Sequence, residues 1–125
     1  MKSPIIDRKK VLKSFRYAVV GLFSLFREEN NARVHLVASV ITIVGAYLLQ
    51  FSLIEWAILL LTISMVLVAE AFNTALERLA NRVSTEYHVL IKEAKDISAA
   101  AVLLAAIGAC VIGVVLFTPK LLQLL

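Results

Sequence analysis

Two carboxylates and an amide lie three and four positions apart near the end of a long apolar stretch: Glu70, Asn73 and Glu77. At about 3.6 residues per turn, this spacing places the three side chains on one face of a helix, and Asn81 continues the row. Carboxylate and amide oxygens suit a hard cation such as Mg²⁺, which commonly uses one or two carboxylates and completes its shell with water and substrate phosphates. The row therefore predicts a magnesium site that a polyphosphate nucleotide would complete.

The position of Glu70 is itself informative. The residues before it, from Leu53 to Ala69, are almost uncharged, so Glu70 is expected at the edge of a hydrocarbon layer. A glutamate at membrane depth costs at least about 2.5 kcal/mol unless it is paired, hydrated or used in function. A plain membrane anchor would have no reason to carry this residue, so the sequence indicates a functional carboxylate.

The helices that must position Glu70, Asn73 and Glu77 are predicted to form one integral membrane domain over residues 1–125. Hydrophobic residues make up 61% of the chain, whereas a soluble domain contains about 45–50%. We predict an interfacial amphipathic helix at about 5–29 and membrane spans at about 32–50, 53–83 and 96–118, of which the second extends beyond the bilayer. The predicted fold class is an all-α membrane protein.

The distribution of positive charge sets the expected orientation. Eight Lys and Arg residues precede the apolar part of the first span at 34–50, four lie between the apolar parts of the second and third spans, and only Lys120 follows. Because cytoplasmic loops accumulate Lys and Arg, we expect the N-terminus and the 78–95 segment in the cytoplasm and the C-terminus outside. The net charge of +4 would then face anionic lipids and phosphorylated substrates. No basic groove with interleaved aromatic residues is visible, so nucleic-acid binding is not predicted.

The sequence contains no strong match to the usual motifs for phosphate binding or metal binding by histidine. None of the four glycines precedes a Lys-Ser/Thr pair, as a phosphate-binding loop would require. His35 and His88 are isolated in sequence and read as polar surface residues. Lys95 and Asp96, at the start of the third span, could hold phosphate oxygens. Equally, Lys95 could extend its amine to the interface and Asp96 could be the N-cap of the third helix.

The run Glu-Ala-Phe-Asn-Thr-Ala-Leu-Glu at 70–77, followed by Ala-Lys-Asp at 94–96, resembles the signature of the small prokaryotic diacylglycerol kinase and undecaprenol kinase family. The resemblance covers nearly the whole chain, including the basic N-terminal helix and the acidic pair before the first span. It implies a homotrimer in the bacterial inner membrane whose active sites form between neighbouring subunits. It also implies transfer of the γ-phosphate of ATP to the primary hydroxyl of a membrane lipid alcohol.

The same resemblance implies a role for each matching residue. Glu77 and Glu29 would hold the catalytic Mg²⁺, and Glu70 would be the general base that faces the lipid alcohol. Asn73 would support the polar site, and Arg33 would join Glu70 at the lipid substrate. The residues expected to bind the nucleotide are Lys10, Tyr17, Glu29, Glu77, Glu86, Lys95 and Asp96.

Two short segments of the sequence bear on which lipid alcohol is phosphorylated. The Ile-Glu-Trp opening of the second span and the Phe-Thr-Pro-Lys-Leu tail are more similar to the branch that phosphorylates undecaprenol. The chain departs from the enterobacterial pattern at Asn81, Ser84 and Ala99, where Asp, Gly and Ser are found. These departures leave the metal and base positions intact, and we expect undecaprenol somewhat more than diacylglycerol.

The alternative is a non-enzymatic small membrane protein, either a transporter or channel subunit or a structural oligomer. A transporter would carry its essential carboxylate deep in a span, on a pathway across the membrane. The acids of this chain are instead expected to gather at one membrane boundary beside cations. A structural oligomer would not explain the row of Glu70, Asn73 and Glu77.

Overall fold

The computed structural model describes residues 5–125, so the first four residues of the predicted domain lie outside the described part. Four helices occur in residues 5–125, and this part contains no strand. The helices are α1 (Arg8–Glu28), α2 (Asn30–Leu48), α3 (Leu53–Val83) and α4 (Val89–Leu122). Each of α2, α3 and α4 is long and apolar enough to cross a membrane. The prediction of an all-α chain with three apolar helices is therefore confirmed.

The start of α4 differs from what the apolar pattern indicated. The helix begins at Val89, well before position 96, and its N-cap is His88, whose ring nitrogen Nδ1 accepts a hydrogen bond from the Leu90 N–H at 3.3 Å. Asp96 lies inside the helix, so the interpretation of Asp96 as an N-cap is wrong. Hydropathy detects the part of a helix that suits lipid, whereas the helix itself continues through polar residues that favour helical geometry.

The two longest helices are longer than a bilayer core is thick, and they are joined at one end. At about 1.5 Å per residue, the 31 residues of α3 and the 34 residues of α4 extend about 46 and 51 Å, whereas a hydrocarbon core is about 30 Å thick. A short connection at 84–88 joins the C-terminal end of α3 to the N-terminal end of α4. We call this end of the molecule the acidic end, because it carries Glu70 and Glu77.

The junction between α1 and α2 consists of one extended residue, Glu29 (φ −106°, ψ 118°). Its N–H donates to the Leu25 carbonyl at 3.0 Å, which closes α1, and its carbonyl accepts from the Arg33 N–H at 3.2 Å, which opens α2. The Arg33 guanidinium donates to the main-chain carbonyls of Phe26, at 2.8 Å, and Arg27. These contacts satisfy carbonyls that the end of a helix leaves without partners, and they fix the bend from which Glu29 projects.

The opposite end of the molecule is closed by an aromatic cluster. The buried Phe51 ring, in the connection between α2 and α3, packs on Phe117 of α4 with ring centroids 4.8 Å apart. Lys120 Nζ lies 3.2 Å from Glu55 Oε2 and 6.0 Å from the centre of the Phe51 ring. The end of α4 is thus attached to the hairpin formed by α2 and α3, far from the acidic end.

A capping box begins α3 and gives a prediction about stability. The Ser52 hydroxyl accepts from the Glu55 N–H at 3.3 Å, and Glu55 Oε2 accepts from the Ser52 N–H at 2.7 Å. We expect Ser52→Ala to lower the free energy of unfolding in detergent by about 1 kcal/mol, because a helix N–H loses its partner. Ser52→Asp retains a capping oxygen and serves as the control. Equal stability of the Ala variant and the wild type would contradict the assignment of this cap.

Candidate functional site

Glu70 is the most deeply buried ionisable side chain of the acidic end, with 2% of its surface exposed. One of its carboxylate oxygens, Oε2, has no hydrogen-bond partner among the described residues. Buried polar atoms are paired in most native structures, so an unpaired carboxylate oxygen requires an explanation. A neighbouring polar group is needed at such an oxygen if the carboxylate is to carry its charge.

Three carboxylates from two parts of the chain converge at the acidic end. Glu29, from the junction between α1 and α2, contacts Arg78 of α3, and Glu77 lies about two turns beyond Glu70 on α3. Side-chain exposure rises from 2% at Glu70 to 35% at Glu29 and 51% at Glu77. The two outer carboxylates can therefore meet a water-soluble ligand, whereas Glu70 is shielded from water within this chain.

Arg78 connects Glu29 to α3. Its guanidinium NH2 group lies 3.0 Å from Glu29 Oε1 and 3.1 Å from Glu28 Oε2, and NH1 donates to the Ser24 hydroxyl at 2.9 Å. Sequence reasoning missed Arg78. The acidic pair before the first span suggested that a cation should be near, but a partner separated by 49 positions in sequence can be found only from the packing of α1 on α3.

Lys95 connects α4 to the row of polar residues on α3. Its Nζ donates to Asn81 Oδ1 at 2.9 Å and lies 3.9 Å from Glu77 Oε1. Asp96 is paired instead with Lys92 on its own helix, at 2.6 Å. The structure thus brings the predicted Lys95 to Glu77, and it directs Asp96 toward a neighbouring lysine.

Asn73 is held by a contact between α3 and α4. Its Oδ1 accepts a hydrogen bond from the Ser98 hydroxyl. Ser98 did not stand out in the sequence, because a lone serine in an apolar helix has no distinguishing pattern. The bond fixes the amide of Asn73 one turn from Glu70.

A cavity of about 450 Å³ lies beside the connection between α3 and α4. Three of the predicted nucleotide-binding residues line it, namely Glu86, Lys95 and Asp96, together with Asn81. Lys10 and Tyr17 lie on α1 and are not among the residues that line this cavity. Within one chain, three of the residues predicted to bind the nucleotide therefore line the same cavity, whereas the two on α1 do not.

The acidic end satisfies the requirements of a magnesium site in part. Within residues 5–125, no three His, Cys, Asp or Glu side chains lie close enough together to hold a metal ion. Mg²⁺ commonly needs only one or two carboxylates, however, because water and phosphate oxygens complete its shell. Glu29 and Glu77 are partly exposed, and each has a cation at Oε1. This donor set fits Mg²⁺ that arrives with a nucleotide.

Arg33, predicted at the lipid substrate, has a different set of neighbours in this structure. Besides the carbonyls of Phe26 and Arg27, its guanidinium donates to Asn30 Oδ1 at 3.3 Å. All of these partners belong to the junction between α1 and α2. In this structure, Arg33 therefore supports the bend that presents Glu29.

Comparison with known proteins places the chain in a family. Residues 16–117 match the family described as prokaryotic diacylglycerol kinase. The chain is 44% identical over 116 residues to a diacylglycerol kinase of Synechocystis sp., an alignment that covers 92% of this chain and 66% of that protein. It is 36% identical over 115 residues to an undecaprenol kinase of Bacillus subtilis, covering 92% and 94% of the two chains. It is also 32% identical over 102 residues to the diacylglycerol kinase of Escherichia coli K12, covering 82% and 84%. The chain belongs to the prokaryotic diacylglycerol kinase family.

Proposed function

We propose that this protein is an integral-membrane lipid kinase that transfers the γ-phosphate of ATP to the primary hydroxyl of a membrane lipid alcohol. The observation that carries the proposal is the gradient of exposure across three neighbouring carboxylates, from buried Glu70 to accessible Glu29 and Glu77. A reaction between a lipid and a soluble nucleotide needs such a boundary. The names of the relatives, diacylglycerol kinase and undecaprenol kinase, support the same reaction.

Glu70 is the proposed general base. An aliphatic alcohol is too weak an acid to ionise unaided, so a carboxylate must accept its proton as the oxygen attacks. The alcohol oxygen forms a bond to the γ-phosphorus, the bond from that phosphorus to the bridging oxygen breaks, and ADP leaves with the electron pair. The proton passes to Glu70. Asn73, fixed by Ser98, supports the polar surroundings of this carboxylate.

Glu29 and Glu77 are the proposed magnesium ligands. When bound, the ion neutralises charge on the β- and γ-phosphates, as phosphoryl transfer generally requires. Arg78 and Lys95 hold the carboxylates of Glu29 and Glu77 in place through their Oε1 atoms. Nearby polar and charged partners of this kind orient the ligands of metal ions.

The nucleotide is proposed to lie in the cavity beside the connection between α3 and α4, where Glu86, Lys95 and Asp96 are found. Lys95 supplies positive charge for phosphate oxygens next to Glu77. We also assign Lys10 and Tyr17 of α1 to the nucleotide. Arg33 is assigned to the lipid substrate together with Glu70.

The assembly is proposed to be a homotrimer with sites shared between subunits. Most large apolar side chains of the described residues are exposed in the single chain, including Phe72 at 74% and Leu79 at 65% beside the proposed site. Such a surface must be covered by lipid or by other subunits. A shared site would also allow α1 of one subunit to bring Lys10 and Tyr17 to the cavity of another.

The proposed location is the bacterial inner membrane, with residues 1–125 forming one domain. The N-terminus and the connection between α3 and α4 would face the cytoplasm, where ATP is available, and the C-terminus would lie outside. We assign α1 to the headgroup boundary, its cations against anionic lipid. Glu70 would then lie at the depth of a lipid hydroxyl.

A transfer assay tests the reaction and the lipid. Purified protein in lipid discs, with Mg²⁺ and ATP labelled at the γ-phosphate, is expected to label both undecaprenol and diacylglycerol, with the larger kcat/KM for undecaprenol. This preference follows the slight resemblance of the second span and the tail to undecaprenol kinases. Chelation of Mg²⁺ is expected to stop the transfer.

Triacylglycerol, which lacks a free hydroxyl, is the matched control and should remain unlabelled. If neither undecaprenol nor diacylglycerol is labelled, the lipid kinase proposal is wrong and the non-enzymatic alternative replaces it. A larger kcat/KM for diacylglycerol would overturn only the choice of lipid.

A further inference from the structure

Glu70 combines two properties that conflict unless a neighbour resolves them. As a base it must be ionised, yet its side chain is 2% exposed and its Oε2 has no hydrogen-bond partner among the described residues. An ionised carboxylate removed from water without a partner is strongly destabilised. A group that stabilises this charge should therefore lie beside Oε2.

His35 of α2 is at that position. Its Nε2 lies 3.8 Å from Glu70 Oε2, and its side chain is 22% exposed. The like-charged carboxylates nearest in the fold are those of Glu77, about two turns further along α3, and Glu29, which contacts Arg78 of α3. An N–H donor beside a carboxylate stabilises its ionised form, which is the form a general base needs.

The surroundings of His35 leave its ring few other polar partners. The ring lines a cavity of about 340 Å³ between α2, α3 and α4, whose α4 lining consists of apolar side chains and Cys110. On the α2 side the lining contributes the hydroxyls of Ser39 and Thr42, which donate to carbonyls of their own helix. On the α3 side, the Thr62 hydroxyl likewise donates to a carbonyl of its own helix. The Glu70 carboxylate, outside this lining, is the acceptor that Nε2 approaches.

We propose that His35 is a positioning residue for Glu70. The Nε2–H of His35 points at Oε2, stabilises the ionised carboxylate and leaves Oε1 to take the proton of the lipid hydroxyl. A separation of 3.8 Å exceeds a hydrogen bond by about 0.8 Å, and contacts of this kind often tighten when the substrate binds. The inference rests on the proposed kinase function and adds a residue to which the family resemblance assigned no role.

Three substitutions separate a donor role from a role in packing. His35→Gln keeps an N–H near the position of Nε2, His35→Phe keeps a ring without a donor, and His35→Ala keeps neither. We expect the Ala and Phe variants to lower kcat about 10- to 100-fold, the cost typical of losing a partner that orients an active group. The KM for ATP should stay within about twofold in each variant. His35→Gln should recover kcat to within about fivefold of the wild type.

Thr42→Val is the matched control, because it changes a polar side chain in the same cavity without touching Glu70. Its kcat is expected to stay within about twofold of the wild type. If His35→Phe is as active as the wild type, or if His35→Gln is as impaired as His35→Ala, the donor role is wrong. Thermal unfolding of each variant in detergent verifies that it is folded.

A double-mutant cycle tests whether His35 acts through Glu70. In a Glu70→Gln background, His35→Ala should cause less than about a twofold further loss of residual kcat, because residues that act as a unit are not additive. A further 10-fold loss would overturn the proposal. If the wild type itself phosphorylates no lipid, the proposed function fails. If the wild type is active and His35 variants are normal, only the inference about His35 fails.

Discussion

Glu77→Gln is expected to lower Mg²⁺-dependent phosphate transfer by at least about 10³-fold. The amide keeps the size of the side chain but removes the negative charge that would hold the ion, and bound metal contributes several kcal/mol of charge stabilisation in such reactions. At about 1.4 kcal/mol per factor of ten, a loss of about 4 kcal/mol gives this decrease. Initial rates measured across a range of Mg²⁺ concentrations, with saturating ATP and lipid, would show it.

Binding measurements extend this prediction beyond the rate. Because Glu77 is half-exposed and lies near Lys95, loss of its charge should not unfold the protein but should weaken binding of Mg²⁺ together with a non-hydrolysable ATP analogue. Glu93→Gln removes another exposed carboxylate, from α4, and is expected to change the rate less than about twofold. Transfer by the Glu77 variant within 10-fold of the wild type at saturating Mg²⁺ would rule out Glu77 as a metal ligand.

Glu70→Gln is expected to lower kcat by about 10² to 10⁴, the range that general bases contribute. The KM for ATP should change less than about twofold, since Glu70 is buried and lies about two turns from Glu77. Single-turnover rates with preformed Mg²⁺, ATP and lipid complexes would separate the chemical step from binding. The different exposure of the two glutamates thus leads to different expected defects: a slower chemical step without Glu70 and weaker Mg²⁺ binding without Glu77.

Thermal unfolding provides an internal control for Glu70→Gln. The wild-type carboxylate is buried with one oxygen lacking a hydrogen bond, and a neutral amide avoids the cost of burying a charge. The variant is therefore expected to unfold at the same or a higher temperature, although its kcat is reduced. Near-normal kcat in a folded Glu70→Gln protein would show that Glu70 is not the base.

Local patterns were sufficient for the helices and for one row of the site. Helical spacing alone put Glu70, Asn73 and Glu77 on one face, because that relation depends only on the pitch of α3. Apolar stretches long enough to cross a membrane identified α2, α3 and α4. The same hydropathy criterion missed the true start of α4, since the charged stretch at 92–96 continues the helix without favouring lipid.

The partners of the three carboxylates of the candidate site were decided by the tertiary structure alone. The sequence determined that carboxylates gather at one end of an apolar helix bundle, and it supplied the residues of the proposed reaction. It could not show that Arg78 reaches Glu29, that Lys95 reaches Glu77, or that His35 approaches Glu70. These pairs join different parts of the chain, and their distances depend on how side chains of neighbouring helices interlock. Spacing along one helix carries no information about that packing.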